Sequence, residues 1–152
     1  VSFSTEEARE RLLDDLARAI EALGAGLARL GAAYERLDEH GSEQLEQQLF
    51  GPLQLAYGRA RRTHSQFAAR YGLPKRTFAD VSPGLESQGP RELIERAAEA
   101  IRRADEEIAT LQDSMLPVEV GDVELRAGLS DVRTTIADLP RKALELVRVV
   151  GR

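Results

Sequence analysis

Cysteine is absent from this 152-residue chain, and so is tryptophan. The first absence excludes disulfides, thiolate metal centres and cysteine nucleophiles together. It leaves the redox compartment open, because a chain without thiols folds in either. Phe and Tyr supply only 5% of the residues. A core that must be made from Leu, Ala, Ile and Val suits helix packing better than a β-sandwich, whose strands favour aromatic and β-branched side chains. Lysine is nearly absent as well, with Lys75 and Lys142 standing against many arginines. Beside so much Ala, Gly and Leu, this bias reads as coding preference rather than function.

Long apolar runs are missing too, and none approaches the roughly 20 residues needed to span a bilayer. The first twenty residues hold Glu6, Glu7, Arg9, Glu10, Arg11, Asp14 and Asp15, a charge density that no signal peptide tolerates. The expected location is the cytoplasm. The chain opens on Val1 rather than Met, which leaves a preceding leader or domain open. Positive charge is not in excess either: the net charge is −5, which argues against a general nucleic-acid or membrane-surface binder. With 31% charged and 42% hydrophobic residues, the composition is that of a folded globular chain, and residues 1–152 fit one domain.

What the sequence does have is periodicity. Leu16, Ile20, Leu23, Leu27, Leu30, Tyr34 and Leu37 alternate by threes and fours, the pattern of a helix seam in a bundle. Ser4 with Glu7 forms a capping box before it, so the first helix is expected over 4–39. His40-Gly41 is expected to end it, with Ser42 capping a second helix over 42–71. That helix carries Leu45, Leu49, Leu53, Ala56, Ala60, Thr63, Phe67 and Tyr71 on one stripe. Pro52 lacks an N–H and its ring conflicts with the Gln48 carbonyl, so a kink or break is expected there.

Gly72-Leu73-Pro74 closes the second helix and opens a long loop to Gly89. Leu73, Phe78, Val81 and Leu85 within it predict a loop ordered against the bundle. Pro90 opens a third helix over 90–115, with Ile94, Ala97, Ile101, Ala104, Ile108, Leu111 and Met115 as its seam and Pro117 as its stop. The fourth, over 122–150, carries Leu125, Leu129, Val132, Ile136, Leu139, Ala143, Leu146 and Val150, with a second kink expected at Pro140. The fold class is therefore all-α: a four-helix antiparallel bundle of two hairpins joined by a long ordered loop. Up-down-up-down is the simplest topology, although the loop is long enough to cross the length of the bundle.

The chemistry-bearing patterns are few. Neither histidine follows a glutamate at the Glu-x-x-His spacing, and almost no carboxylate falls on a seam, which excludes a di-metal bundle centre. Asp38, Glu39, His40, Glu43 and Glu46 crowd the first turn, but acidic residues there suit the start of the second helix, and no metal is expected. Phosphate-cradling glycine loops are absent. Ser65 beside His64 makes no nucleophile signature, and His64 reads as a boundary residue of the core. No cofactor and no catalytic residue is assigned.

Two patterns remain. Ala17, Gly24, Ala28 and Gly31 form a strip of small residues beside the first seam. It reads as a face for a tightly packed neighbouring helix, or for a second protomer or partner. Arg59, Arg61, Arg62, Arg70, Lys75 and Arg76 are opposed locally only by Asp80. Arg59, Arg62, Arg70, Lys75 and Arg76 are read as a candidate anion or partner patch, against the alternative that they neutralise carboxylates across the bundle. The functional expectation is a non-enzymatic interaction or scaffold module with a protein partner, self-association as a homodimer included. The alternatives are an anion-binding protein that uses the Arg59–Arg76 patch for a nucleic acid, a phosphorylated ligand or an acidic membrane surface, and an enzyme with a cleft at the 72–89 loop. The acidic net charge speaks against the nucleic-acid and membrane versions.

Overall fold

The computed structural model describes residues 4–82 and 88–150. The first helix, α1 (Thr5–Arg36), starts where the capping box places it, with the Ser4 hydroxyl accepting from the Glu7 N–H at 3.1 Å. It stops three residues short of the expected end. Leu37 turns extended, and Asp38 rather than Ser42 caps the short helix α2 (Glu39–Leu45), accepting from the Gly41 N–H at 2.7 Å. A carboxylate is a strong cap, and it finds room because Gly41 has no Cβ; one there would stand 3.0 Å from the Asp38 carboxylate. Ser42 is buried within α2 instead, its hydroxyl donating to the Glu39 carbonyl.

Pro52 produces neither a gap nor a new cap. One π-helical turn, Glu46–Phe50, precedes α3 (Gly51–Arg70), and the Gly51 N–H reaches the Glu46 carbonyl five residues back. Widening the turn by one residue is how a helix absorbs a proline ring without breaking. Pro140 is handled differently. The fourth segment divides into α6 (Val123–Ile136) and α7 (Leu139–Val149), with Ala137 and Asp138 as a turn between them. The third segment ends early: α4 (Pro90–Asp113) is followed by a single-turn helix, α5 (Leu116–Glu119), which the seam pattern does not predict.

Contacts fix the order of the helices. Gly24 meets Tyr57, and Arg9 stacks on Tyr71, so α1 and α3 run antiparallel. Gly26 meets Ile101, Arg18 meets Glu107, and Arg9 reaches the Val120 carbonyl, so α1 and α4 do too. The same descending register joins α3 to α6 through Arg59–Asp131 and Arg70–Asp122, and α4 to α6 through Asp105–Arg133. Every neighbouring pair is antiparallel, but α3 and α4 lie on a diagonal. The connector therefore travels from Tyr71, beside Arg9, to Pro90, beside Leu37 and Asp38 at the opposite end. The simple up-down-up-down order gives way to a full-length crossover, which a connector of this length spans easily at about 3.3 Å per residue.

The seams are the core. Leu16, Ile20, Leu23, Leu30, Leu53, Phe67, Ile94, Ile101, Ile108 and Leu125 are each at most 1% exposed. Two seam positions fail: Tyr34 is 42% and Met115 47% exposed. Tyr34 lies in the last turn of α1, and Met115 lies beyond the end of α4 in a left-handed backbone. α1 also buries Ala19, Ala22, Gly26 and Ala33, because it packs against two helices rather than one. Phe78 packs against the core and Leu73 is buried, as expected of an ordered connector, whereas Val81 is exposed and Leu85 lies outside the described residues. No helix among the described residues is long and apolar enough to cross a membrane.

Candidate functional site

Residues 73–81 of the connector lie along the groove between α1 and α3, and the basic residues divide there. On the flank of α3 that meets α6, Arg59 binds Asp131 at 3.1 Å, and Arg70 binds both Asp122 at 2.7 Å and Glu124 at 2.9 Å. Asp122 is the hub of that corner. It caps α6 through the Leu125 N–H and accepts from the Tyr71 hydroxyl as well as from Arg70. Burial works against its charge, yet the Arg70, Leu125 and Tyr71 hydrogen bonds outweigh it and hold the carboxyl below its usual range. These arginines are internal neutralisers. Two of the five members of the proposed patch thus face α6 and not an external anion.

Close approach explains the geometry. Gly128 of α6 lies so near Thr63 of α3 that any Cβ there would collide with the Thr63 hydroxyl and methyl. Thr63 is buried and donates its hydroxyl to the Arg59 carbonyl, so it has nowhere to move. The tight small-residue contact of this bundle is therefore at Gly128. The strip expected on α1 is divided: Ala17 is buried, Gly24 lies against Tyr57, Ala28 is half-buried, and Gly31 has nothing within 4 Å of where a Cβ would sit.

The other flank of α3 is open. Arg61, Arg62 and Ser65 project beside the connector, which brings Arg76 and Phe78 over them. Together with His64 they line a surface cavity of about 360 Å³. Arg76 reaches Glu21 at 3.0 Å and Asp14 at 3.6 Å on the α1 side, which anchors the connector. Arg61 leans over the Tyr57 ring at 5.3 Å. Neither Arg61 nor Arg62 has an ion-pair partner among the described residues. His64 is only 3% exposed, with Phe78 edge-on to its ring at 5.5 Å. Burial and the nearby Arg76 charge push its pKa down, against the Leu13 backbone hydrogen bond and Asp14, so the imidazole is neutral at neutral pH.

A second cavity of about 360 Å³ opens on the α1 side of His64, lined by Glu10, Asp14, Leu73, Lys75 and Arg76. The expected cleft at the loop is thus a set of surface hollows: these two on either side of a buried histidine, and a third of about 500 Å³ where Thr77, Asp80 and Val81 lie against Ile20, Glu21 and Tyr57. Of the two beside His64, Lys75 borders the acidic one and Arg62 the acid-free one, so the structure does not bring them to the same place. Arg76 borders both. His64, Ser65 and Phe78 were not assigned to a site from sequence; Phe78, the one aromatic residue among the apolar members of the connector, was the available signal. Elsewhere, Arg29 is crowded by Arg96 and Arg103 on the α1–α4 face, and burial with those charges lowers its pKa. Asp38 and His40 serve α2, as its cap and as a partner of Gln44. Among the described residues no group of acidic or histidine side chains is placed to hold a metal ion.

No protein-family model, no curated protein and no solved structure matches this chain.

Proposed function

We propose that this chain is a non-enzymatic, cytoplasmic interaction module, a helical bundle that engages a protein partner through the end where α4 turns into α6. The carrying observation is the turn itself. Met115 adopts a left-handed backbone with φ 68°, which costs a non-glycine residue about 1–3 kcal/mol. The segment is nevertheless held firmly. Pro117 is buried, Leu116 and Val120 pack against the core, Arg9 grips the Val120 carbonyl at 3.0 Å, and Arg126 grips the Pro117 carbonyl at 3.1 Å. Gly121 permits this, since a Cβ there would collide with the Pro117 backbone.

The outward side of this anchored turn displays apolar side chains, with Val118 57% and Val123 72% exposed alongside Met115, among the exposed carboxylates of Asp113, Glu119 and Glu124. A rigid segment that displays apolar side chains loses little entropy on docking. The seams support the non-enzymatic part, because along them Thr63 is the buried polar member and its hydroxyl is satisfied within α3.

A second copy of the chain is the first partner to test. Sedimentation velocity across micromolar concentrations should show a dimer that Val118→Glu with Val123→Glu abolishes, with circular dichroism unchanged. If the chain stays monomeric, a photo-crosslinker at position 118 should capture a partner in expressing cells that one at exposed position 103 does not. A monomer together with equal capture at both positions would overturn the reading.

A further inference from the structure

Independently of that docking end, we infer that the cavity between α3 and the connector binds the phosphate group of a small phosphorylated ligand. The cavity is lined by three arginines, Arg61, Arg62 and Arg76, with Gly58, His64, Ser65 and Phe78, and among the described residues no carboxylate borders it. In a chain of net charge −5, an acid-free hollow with three guanidinium groups is the reverse of the average surface. Guanidinium forks match phosphate oxygens in pairs, and a serine hydroxyl adds a neutral donor.

The three cations are not equivalent. Arg76 is already oriented by Glu21 and Asp14 on the far side of the connector, so it is preorganised but partly neutralised. Arg61 and Arg62 come from adjacent positions on α3 and have no carboxylate partner among the described residues, so an incoming dianion would supply the counter-charge.

Size and surroundings narrow the ligand. A volume of about 360 Å³ exceeds one phosphate and leaves room for an ester group beside the Phe78 ring. Outside the rim, Glu10, Asp14 and Glu21 present negative charge. They would repel an extended polyanion or an acidic bilayer, which must lie across them, more than a compact dianion held on the Arg61 and Arg62 side. This selects a small phosphate ester over a nucleic acid or membrane surface.

The test is an NMR titration of the intact chain at low ionic strength with inorganic phosphate and with phenyl phosphate, against sodium chloride at matched ionic strength. Saturable shifts at His64 and Ser65 are expected with both, tighter for the ester. Arg61→Gln or Arg62→Gln should weaken binding by roughly tenfold or more. Arg59→Gln, whose partner is Asp131, should leave it unchanged. The Val118→Glu, Val123→Glu variant should also bind normally, so a failed docking end and a failed cavity are told apart. Shifts reproduced by chloride, or equal losses from Arg59→Gln and Arg62→Gln, would overturn the site. Binding of a single-stranded oligonucleotide or anionic vesicles through Arg61 and Arg62, without phosphate binding, would overturn it as well.

Discussion

On the flank of α3 that meets α6, Arg59 and Arg70 are taken up by Asp131, Asp122 and Glu124; on the flank under the connector, Arg61 and Arg62 meet no carboxylate among the described residues. The residue type is the same and the positions are interleaved along one helix. What differs is the neighbour. α6 approaches to glycine distance and brings acidic side chains with it. The connector brings Phe78 and another arginine. A basic stretch in a sequence is thus a mixture of internal neutralisers and available cations, and each variant below separates the two.

The largest contrast should come from paired glycine replacements. Gly128→Ala forces a methyl into Thr63 and should cost about 1–3 kcal/mol in a denaturant titration. Thr63→Ala in the same chain should recover part of that loss. Gly58→Ala, on the open flank, would meet only the flexible end of Arg62 at 3.4 Å. It should be neutral or stabilising by up to about 1 kcal/mol through helix propensity. Equal losses at both positions would erase the difference between the flanks.

Asp122→Ala should come next, at about 1–2 kcal/mol, through the lost cap and the unpartnered Arg70 and Tyr71. Asp122→Asn should cost less, because the amide oxygen can still cap α6. Since the native carboxyl is held below its usual range, its contribution is present above the unfolded value near 3.8. It disappears as pH falls through the native value. Stability curves of wild type and Asp122→Asn should therefore converge in strong acid, and parallel curves would contradict the hub.

His64 works in the opposite sense and in another window. Its native pKa lies below the ordinary 6.5, so the unfolded chain takes up the proton first, and stability should decline as pH drops just below 6.5. His64→Gln should remove that decline while leaving the acid limb due to Asp122 in place. A wild-type stability flat between pH 7 and 5 would place the imidazole in solvent. The smallest effect belongs to Arg62→Gln, which should stay within about 0.5 kcal/mol, with Arg59→Gln between 0 and 1 kcal/mol. A stability loss at Arg62 larger than at Arg59 would reverse the assignment.

Much of the helix framework was legible in the residues. The capping box at Ser4, Pro90 at its helix start, Asp122 before α6 and the seams from Leu125 to Val150 all act locally. Errors fell where two local signals competed. Asp38 outranked Ser42 as a cap because its carboxylate fits over Gly41. Pro52 was absorbed by a π turn, whereas Pro140 was given a break. Met115, in step with its seam, was turned outward by a left-handed backbone beside Pro117. Of the site, the cations were visible but their convergence was not: Arg62 and Arg70 are eight positions apart on one helix, yet they serve opposite flanks.

Hydrophobic spacing by threes and fours is a property of neighbours in the chain, so the sequence alone determined that these segments are helical and which face each buries. It also determined that Gly72 to Gly89 would have to join two hairpins. Which helix lies beside which depends on contacts between residues far apart, and the periodicity is the same for either order of packing. Only the tertiary structure decided that the connector crosses the full length of the bundle. That crossing puts α6 against one flank of α3 and Phe78 with Arg76 against the other, and so leaves Arg61 and Arg62 facing a cavity instead of a carboxylate.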